Sequence, residues 1–404
     1  MENYKYQFTG TKTLPENKTI KVGVAGSGNL EVIISKLNSE QVEFEVSTNV
    51  KGYKKTWDAV VERFFEDYPI GGVKVIIRDA GATPPVVSLR LRQAIETYQQ
   101  GYRVGKNYLE LDARQRIYSI VDEDSFEEFL LNDDGNSLNL PLLDMQTESD
   151  DGLVIGRAKL DGKSVAIAAQ QKDFIGGAVG EIHGAKLNGL FKYTAKHQLG
   201  GIVLLVDSGG VRLQEANVGE IEISEIIRSI LEARSSGVKT VGVICGNNGA
   251  YGGMGIISGS LDTLIVNQVA RIGVSGAEVI QTVKGAEAFD ASDRPLMWRV
   301  YGGRTRYMQG TAKHYVSNKV EDIQKAIIHT LSGSNKDTEL TLENLQKENK
   351  MLRQLKKQTK GAREMGEWLE KAEKDSNIDI FGMTDKAFLK YCKVNKLGEY
   401  SGKK

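Results

Sequence analysis

Cysteine and histidine are scarce in this chain of 404 residues. The two cysteines, Cys245 and Cys392, lie far apart, so neither a disulfide framework nor a cysteine zinc site is indicated. The histidines show no HExxH or similar metal-ligand spacing, and no G-x-S-x-G elbow accompanies them. They are His183, His197, His314 and His329. We therefore expect no bound metal, no metal-dependent hydrolysis and no catalytic triad.

Net charge and long apolar runs are also absent. Lys plus Arg and Asp plus Glu number 53 each, so no long-range field favours nucleic acid or an anionic membrane as a partner. No segment holds about 18 uninterrupted apolar residues, and the first ten residues lack the charged start and apolar middle of a signal peptide. We expect a cytoplasmic protein whose partners are small molecules or other proteins.

The composition is that of a folded protein with more than one domain. Hydrophobic residues make up 40% of the chain and charged residues 26%, which is enough apolar material for buried cores. A chain of this length is too long for one ordinary domain and predicts two or three. The pattern changes twice along the chain, and we predict domains at residues 1–109, 110–330 and 331–404.

The first domain is predicted to be a small α/β unit. "TIKVGVAG", "QVEFEVSTNV" and "VKVIIRDAG" alternate as strands do. Trp57, Val60, Val61, Phe64 and Phe65 have the spacing of an apolar helix stripe. A second helix is predicted after the prolines of "GATPPVVSLRLRQAIETY".

A serine stands at the tip of the first predicted hairpin of this domain. "VGVAGSGNLEVII", residues 22–34, places Ser27 between Gly26 and Gly28. This loop holds no His, Cys or carboxylate that could activate the serine. From the residues alone a plain turn, which is the commoner case, and a functional serine both remain open.

The second domain repeats short apolar strands, glycine-rich turns and helices. "SVAIAAQ", "GIVLLVDSGG" and "VKTVGVICGNNGA" each begin such a unit, and strands that are apolar throughout are expected where both faces of a sheet are covered. The pattern predicts a layered α/β fold. "GRAKLDGKS" resembles a phosphate-binding P-loop but has five residues between its glycines, so we predict a hairpin turn at Asp161-Gly162 instead.

Two glycine pairs follow consecutive predicted strands. Gly209-Gly210 and Gly252-Gly253 would each stand between a strand and a helix, where backbone N–H groups lack internal partners. Two such turns could form an oxyanion hole without a side-chain catalyst. They could equally serve only to let helix and strand pack closely.

The third range is predicted to be mainly helical. Leu342, Leu345, Leu352 and Leu355 form a narrow apolar seam. Such a seam is typical of a helix that packs on its own protein or on a partner.

Two parts of the chain resemble a known enzyme. "LLVDSGGVRLQE" followed by "VICGNNGAYGGMG" resembles the paired motifs of the carboxyltransferases in the crotonase superfamily, and residues 114–320 are similar to the beta subunit of malonate decarboxylase. "VGVAGSGNLEV", "ERFFEDYP" and "DAGATPPVVSLRLRQA" resemble the delta subunit, the acyl carrier protein of that enzyme. The chain thus resembles a delta–beta fusion. The resemblance implies an α/β carrier domain, a crotonase-like domain of stacked ββα units and a helical C-terminal segment.

The resemblance gives Ser27 a role. In delta subunits a serine in this position carries 2′-(5″-phosphoribosyl)-3′-dephospho-CoA through a phosphodiester, which provides a long arm ending in a thiol. Ser27 would then be an attachment point and would need no activating base. Gly26 and Gly28 would leave its hydroxyl open to a modifying enzyme.

The resemblance also implies that the chain is both carrier and catalytic subunit of malonate decarboxylase. Malonyl, held as a thioester on the arm, would lose CO2 and become acetyl thioester, and backbone amides would stabilise the enolate. These amides would be those of Gly209, Gly210, Gly252 and Gly253. Gly176 and Gly177 would help to hold the arm. Tyr251 lies near the motif, but a tyrosine there is more often packing, and no proton donor is identified.

Further subunits are implied by the same resemblance. They are a gamma subunit that completes the active site, an alpha subunit (acetyl-S-ACP:malonate ACP transferase) that loads malonate, a prosthetic-group transferase and an acetylating ligase. Two alternatives stay open. The chain could transfer the carboxyl group to biotin in a biotin-dependent malonate decarboxylase, or it could be a non-catalytic carrier and scaffold.

Overall fold

The structure, a computed structural model, describes residues 1–13, 19–131, 137–334, 339–358, 369, 373–374 and 377–395. The strands are β1 (Glu2–Thr9), β2 (Lys12–Thr13), β3 (Ile20–Gly23), β4 (Leu30–Lys36), β5 (Gln41–Thr48), β6 (Ile70–Gly71), β7 (Val73–Asp79), β8 (Glu127–Phe129), β9 (Leu153–Leu160), β10 (Lys163–Gln170), β11 (Ile202–Val206), β12 (Thr240–Ile244), β13 (Thr263–Val266) and β14 (His314–Tyr315). The helices are α1 (Lys54–Asp67), α2 (Pro84–Gln100), α3 (Ala113–Ile120), α4 (Glu181–Lys196), α5 (Val218–Ser235), α6 (Gly253–Gly259), α7 (Ala277–Lys284), α8 (Arg294–Tyr301), α9 (Gly303–Met308), α10 (Val320–Ser332), α11 (Leu342–Gln358) and α12 (Asp385–Asn395).

The N-terminal part is a sheet covered by two helices. Within the described ranges it has five strands in the order β1-β5-β7-β4-β3, and β3 and β4 form an antiparallel hairpin. Helices α1 and α2 pack on this sheet around one apolar core. Trp57, Val61 and Phe64 are buried, which confirms the apolar stripe predicted for α1. The short strands β2 and β6 pair separately.

A second sheet forms the middle of a three-layer unit. Its described strands run in the order β14-β13-β12-β11-β10-β9-β8, with β10 to β14 parallel. Helices α4, α5, α6 and α9 pack on one face, while α3 and α10 pack on the other. The turn between β9 and β10 has positive φ at Asp161 (51°) and Gly162 (73°), as a tight hairpin requires. The prediction of a hairpin instead of a P-loop is therefore confirmed.

Several helices differ from the sequence prediction. Gly209-Gly210 does not open a helix, because a 3-10 turn at Leu213–Glu215 intervenes and α5 begins only at Val218. The φ of +130° at Gly210 is itself incompatible with a helix start. Helices α7, α8 and α9 were not predicted, since with six to eight residues they are too short to show a clear period.

The C-terminal residues pack partly on the second sheet's core. Arg304 donates hydrogen bonds to the carbonyl oxygens of Ile380, Phe381 and Met383, and Phe388 joins the apolar core. The leucine seam on α11 does not follow this pattern. Leu342 is 72% exposed, Leu345 48% and Leu352 52%, so these residues do not pack on their own protein. The side chain of Leu355 lies outside the described residues.

A buried charge cluster joins the two sheets. Lys21 on β3 lies 2.7 Å from Glu31 on β4, 2.8 Å from Glu148 and 2.7 Å from Asp150. Glu148 and Asp150 belong to Glu148–Gly152, which we call the ESDDG segment and which leads into β9. The carboxylates and the amine are almost wholly buried. The hairpin of the first sheet is thus held directly against the start of the second.

Burial and neighbouring charges shift the pKa values of Glu148 and Asp150 in opposite directions. Burial, only partly offset by Lys21, raises the pKa of Glu148 to about 8. Although burial acts in the opposite direction, Lys21 and Arg114 hold the pKa of Asp150 below its usual range. Near neutral pH, Glu148 therefore holds a proton while Asp150 is ionised.

Replacing Glu148 by Gln should make the stability of the protein less dependent on pH. Glu148 binds its proton more tightly in the folded chain than in the unfolded chain, so wild-type stability falls as pH rises from about 4.5 toward 8. Gln does not titrate, so the melting temperature of Glu148→Gln relative to wild type should rise between pH 5 and pH 8. Glu66→Gln, at an exposed position on α1, should show no such trend. A pH-independent difference for Glu148→Gln would contradict the assignment.

Candidate active site

Three glycine-containing turns meet beyond the carboxyl ends of the parallel strands β10, β11 and β12. We call them together the glycine edge, and its residues are Gly176, Gly177, Gly209, Gly210, Gly252 and Gly253. The N–H of Gly209 donates to the carbonyl oxygen of Gly176 at 2.9 Å. A Cβ atom built on Gly252 would lie 3.4 Å from the Cα of Gly210. The structure therefore brings the three predicted pairs together.

Buried polar groups hold these turns in register. The N–H of Asp207, which follows β11, donates to Oε1 of Gln170 at 3.0 Å, and the N–H of Asn248 donates to Oδ1 of Asp207 at 2.6 Å. Arg116 on α3 lies 2.8 Å from Oδ2 of Asp207. Both side chains of this ion pair are buried, so all three strand ends are fixed relative to each other.

The amides of the glycine edge are not equally available. The N–H of Gly209 is bound to Gly176, and the N–H of Gly210 donates to Oγ of Ser208 at 3.1 Å. Among the hydrogen bonds of the described residues, none is donated by the N–H of Gly252 or Gly253. The expected set of four donors is thus reduced to two in this structure.

Backbone conformation and close packing both require glycine at the glycine edge. Gly210 and Gly252 have φ of +130° and +55°, a region that side chains rarely adopt. A Cβ on Gly253 would lie 2.5 Å from Cδ1 of Ile223 and 3.0 Å from Cγ2 of Val211. Gly253 therefore allows close packing against α5 and also presents its N–H at the start of α6.

The N-terminus of α4 is already occupied by side chains of the same chain. The N–H of Glu181 donates to Oε2 of Glu215 at 2.7 Å, and the N–H of His183 donates to Oδ2 of Asp151 at 2.8 Å. Arg212 in turn lies 2.8 Å from Asp151 and is buried with it. Two of the N–H groups at this end of α4 are therefore engaged within the chain and not open to an external anion. Burial lowers the pKa of His183 well below its ordinary value, so that imidazole is neutral.

Tyr251 packs beside the glycine edge. Its ring contacts Tyr301 edge-on, with centroids 5.4 Å apart, and belongs to an apolar cluster with Phe289 and Val300. Burial raises the pKa of the Tyr251 phenol, so it is protonated near neutral pH. Its contacts agree with the packing role expected from the sequence.

A large apolar cavity lies elsewhere. It has a volume of about 630 Å³ and lies between α4 and the strands β8 and β9. Phe129, Ile155, Leu190 and Tyr193 are among its lining residues, and no residue of the glycine edge lines it. We therefore do not place the reaction there.

Ser27 lies at the exposed tip of the β3–β4 hairpin, which we call the carrier hairpin. The loop is tight, because the N–H of Gly28 donates to the carbonyl of Ala80 at 2.9 Å and the N–H of Asn29 donates to the carbonyl of Gly26 at 2.9 Å. Within the described residues the Ser27 hydroxyl makes no hydrogen bond. An exposed hydroxyl on a fixed loop fits a covalently attached phosphodiester.

The two glycines that flank Ser27 serve different purposes. Gly28 has φ +73°, and nothing lies within 4 Å of a Cβ built on it, so the backbone conformation requires glycine. A Cβ on Gly26 would lie 2.8 Å from the carbonyl oxygen of Asp173, so close approach of the second sheet's loop requires glycine there. Each glycine thus has a structural reason in addition to the expected role of leaving the hydroxyl open.

The ESDDG segment was missed by sequence reasoning. Asp150 contacts Lys21 of the carrier hairpin, and the next residue, Asp151, contacts Arg212 at the glycine edge. The segment therefore links Ser27's domain to the candidate site. An acidic run such as "TESDDG" is typical of an exposed loop, so no local signal indicates its burial.

The described residues show neither a metal-binding cluster nor a membrane-spanning helix. Among them, no group of three or more His, Cys, Asp or Glu side chains could hold a metal ion. None of their helices has the length and apolar character needed to cross a membrane.

Comparison with known proteins identifies both parts of the chain. The family model of the malonate decarboxylase delta subunit (MdcD) matches residues 17–98, and that of the carboxyl transferase domain matches residues 109–360. The malonate decarboxylase acyl carrier protein of Burkholderia cepacia is 40% identical over 94 residues, covering 23% of this chain and 87% of that protein. An acyl carrier domain holds its acyl group on a covalently attached prosthetic group.

The catalytic part has relatives of known name and structure. Malonyl-S-ACP:biotin-protein carboxyltransferase MADC of Malonomonas rubra is 34% identical over 235 residues, covering 54% of this chain and 74% of that protein. A crystal structure of a Pseudomonas malonate decarboxylase hetero-tetramer in complex with malonate aligns with TM-score 0.57 and 32% identity, covering 60% of this chain and 91% of the matched chain. These findings confirm the predicted fold class. The chain belongs to the carboxyl transferase domain family and is the carrier and catalytic subunit of a malonate decarboxylase, with a delta-type acyl carrier domain fused in front of the carboxyltransferase domain.

Proposed function

We propose that this chain carries malonyl on an arm attached to Ser27 and decarboxylates it at the glycine edge to acetyl thioester and CO2. One observation carries this proposal. A single chain combines an exposed serine at the tip of a carrier hairpin with two unbonded N–H groups, those of Gly252 and Gly253, at the strand ends of a carboxyltransferase domain.

The prosthetic group that fits Ser27 is 2′-(5″-phosphoribosyl)-3′-dephospho-CoA, which when bound supplies a thiol that carries malonyl as a thioester. Ser27 would hold it through a phosphodiester at its exposed hydroxyl. Arg90 donates a hydrogen bond to Oδ1 of Asn29 at 3.0 Å and so lies beside this loop. Its positive charge would stabilise a phosphate there.

The glycine edge would stabilise the charge that develops as CO2 leaves. Breaking the bond to the carboxylate places an electron pair on the carbon next to the thioester carbonyl, and the charge gathers on the thioester oxygen until that carbon takes up a proton from water to give the acetyl group. N–H groups of Gly252 and Gly253 aimed at that oxygen would contribute about 10²–10³ in rate per donor. Gly209 and Gly210, whose N–H groups are engaged, would position the turn. Gly176, exposed beside the edge, and Gly177 would contact the arm.

Partner subunits would complete the enzyme. Two solved relatives are a malonate decarboxylase hetero-tetramer and an MdcD-MdcE hetero-dimer. The partners proposed for this chain are therefore a gamma-like subunit with the second half of the active site and an alpha-like transferase that loads malonate. A prosthetic-group transferase and an acetylating ligase would prepare the arm. Without these subunits the isolated chain should release almost no CO2 from malonate.

A second candidate function is supported by the name of one relative. The Malonomonas rubra protein is a malonyl-S-ACP:biotin-protein carboxyltransferase, so the carboxyl group could pass to biotin on another chain instead of leaving as CO2. Activity of the reconstituted complex in the presence of avidin distinguishes the two. Full CO2 release supports direct decarboxylation, and inhibition by avidin supports transfer to biotin.

Ser27→Ala should abolish attachment of the arm. Intact-mass measurement of the protein from its native host should show an adduct of phosphoribosyl-dephospho-CoA size on the wild type and none on this variant. Ser39→Ala, at another exposed serine of the same domain, should retain the adduct. An active complex whose chain carries no mass at Ser27 would falsify the carrier assignment.

Gly253→Pro and Gly253→Ala should separate the N–H group from packing. Both add a Cβ against Ile223, but only proline removes the N–H, and proline is tolerated at the first residue of a helix. We expect similar melting temperatures for the two variants and a turnover about 10²–10³ lower for proline than for alanine. Equal turnover at equal stability would leave Gly253 a packing residue only.

A further inference from the structure

We propose that the carrier hairpin stays docked on the catalytic domain of its own chain, so that the arm at Ser27 serves the glycine edge in cis. This inference rests on the proposed function and adds the positioning residues that determine which active site receives the malonyl group. Three independent contacts carry it.

The first contact lies beside the attachment point itself. A Cβ on Gly26 would lie 2.8 Å from the carbonyl oxygen of Asp173, so the backbone of the hairpin tip touches the loop that follows β10. Val24, two residues earlier, is buried in one cluster with Phe174 and Leu140 of the catalytic domain. Ser27 itself remains exposed. The strand that leads to Ser27 is therefore held against the catalytic domain, while the hydroxyl stays free.

The second contact is the buried charge cluster at the base of the same hairpin. Lys21 and Glu31 face each other across β3 and β4, and both contact the ESDDG segment. Oγ of Ser149 donates to Oε1 of Glu31 at 2.6 Å, in addition to the ion pairs of Lys21. Buried charges with specific partners favour one relative orientation of two surfaces.

The third contact is aromatic and closes the outer edge of β3. The phenol of Tyr102 donates to the carbonyl oxygen of Lys21 and accepts from its N–H, each at 2.9 Å. The Tyr102 ring stacks on Tyr118 of α3 with centroids 4.7 Å apart, and Tyr118 contacts Phe126 edge-on. An edge strand that is capped in this way is not free to pair elsewhere.

The loop after β10, whose Asp173 touches the carrier hairpin, continues directly into the glycine edge. Asp173 and Phe174 precede Gly176, whose carbonyl oxygen accepts from the N–H of Gly209. Nδ2 of Asn248 donates to the carbonyl oxygen of Lys172 at 3.2 Å, which binds the same loop to the turn after β12. The hairpin tip and the catalytic turns thus share one short loop. In this arrangement the arm moves between subunits while the domain that bears it does not.

Co-assembly of two inactive chains tests delivery in cis. Ser27→Ala lacks the arm and Gly253→Pro lacks the proposed donor. Each variant is assembled with the partner subunits, first by itself and then mixed with the other variant. We expect the mixed complexes to release CO2 from malonate no faster than the sum of the two variants measured separately. A rate above that sum means delivery in trans and overturns the inference while leaving the proposed function intact. No release from the wild-type complex overturns the proposed function and this inference with it.

Gly26→Ala tests the docking contact itself. The added methyl group would meet the Asp173 carbonyl, whereas Gly189→Ala in α4 adds the same group where nothing lies within 4 Å. In one turnover, Gly26→Ala should release CO2 at least tenfold more slowly from malonyl loaded on Ser27. It should decarboxylate malonyl-CoA added in solution within twofold of wild type. Gly189→Ala should change neither rate. Equal loss of both rates in Gly26→Ala, or unchanged release from Ser27, would overturn the inference.

Discussion

The buried contacts of the ESDDG segment determine how the two domains of this chain face each other. Asp150 binds Lys21 of the carrier hairpin, and Asp151 binds Arg212 beneath the glycine edge. The two residues lie in a hydrogen-bonded turn in which Asp151 has φ +52°, so their side chains reach two different clusters. The cost of removing these charges from water offsets much of their attraction. Their main effect is therefore to specify orientation, and the apolar contacts of Val24 with Phe174 and Leu140 add to the adhesion.

This orientation explains features that neither domain accounts for by itself. Gly26 is required because Asp173 approaches it, and Gly28 is required by its own φ. The N–H group of Gly209 joins two turns and that of Gly210 bonds within its own turn, whereas those of Gly252 and Gly253 make no hydrogen bond among the described residues. In the proposed function Ser27 would be an attachment point without an activating base, and one short loop joins its hairpin to the glycine edge.

Local patterns were sufficient to predict much of this fold. Period-2 and period-3.6 patterns located the carrier strands and α1, because the residues of one buried face are apolar and recur with the period of the element. The parallel strands of the second sheet were located because strands buried on both faces are apolar throughout. The turn at Asp161-Gly162 was predictable because tight hairpins require positive φ at both positions. Ser27 was placed at a hairpin tip because alternating apolar runs flank Gly26-Ser27-Gly28.

The remaining features depend on contacts between distant residues. Arg212 and Asp151 are 61 residues apart, and Ser149 and Glu31 are 118 apart, so nothing near "TESDDG" distinguishes a buried junction from a solvated acidic loop. Which glycine amides are engaged is likewise decided by where Gly176 and Ser208 lie in the fold. The leucine seam correctly predicted that α11 is a helix. That these leucines are exposed on this chain depends on tertiary structure and could not be predicted from the seam.

The distance between the two domains during the reaction tests the central claim most directly. Spin labels at Glu62 on α1 and Lys196 at the end of α4, both exposed, would report it in the assembled complex by pulsed electron paramagnetic resonance. The two native cysteines are buried and would not interfere. The account predicts one narrow distance distribution that is the same with the arm empty, malonyl-loaded and acetyl-loaded. A broad distribution, or a second distance that appears on loading, would contradict a carrier domain that stays docked on its own catalytic domain.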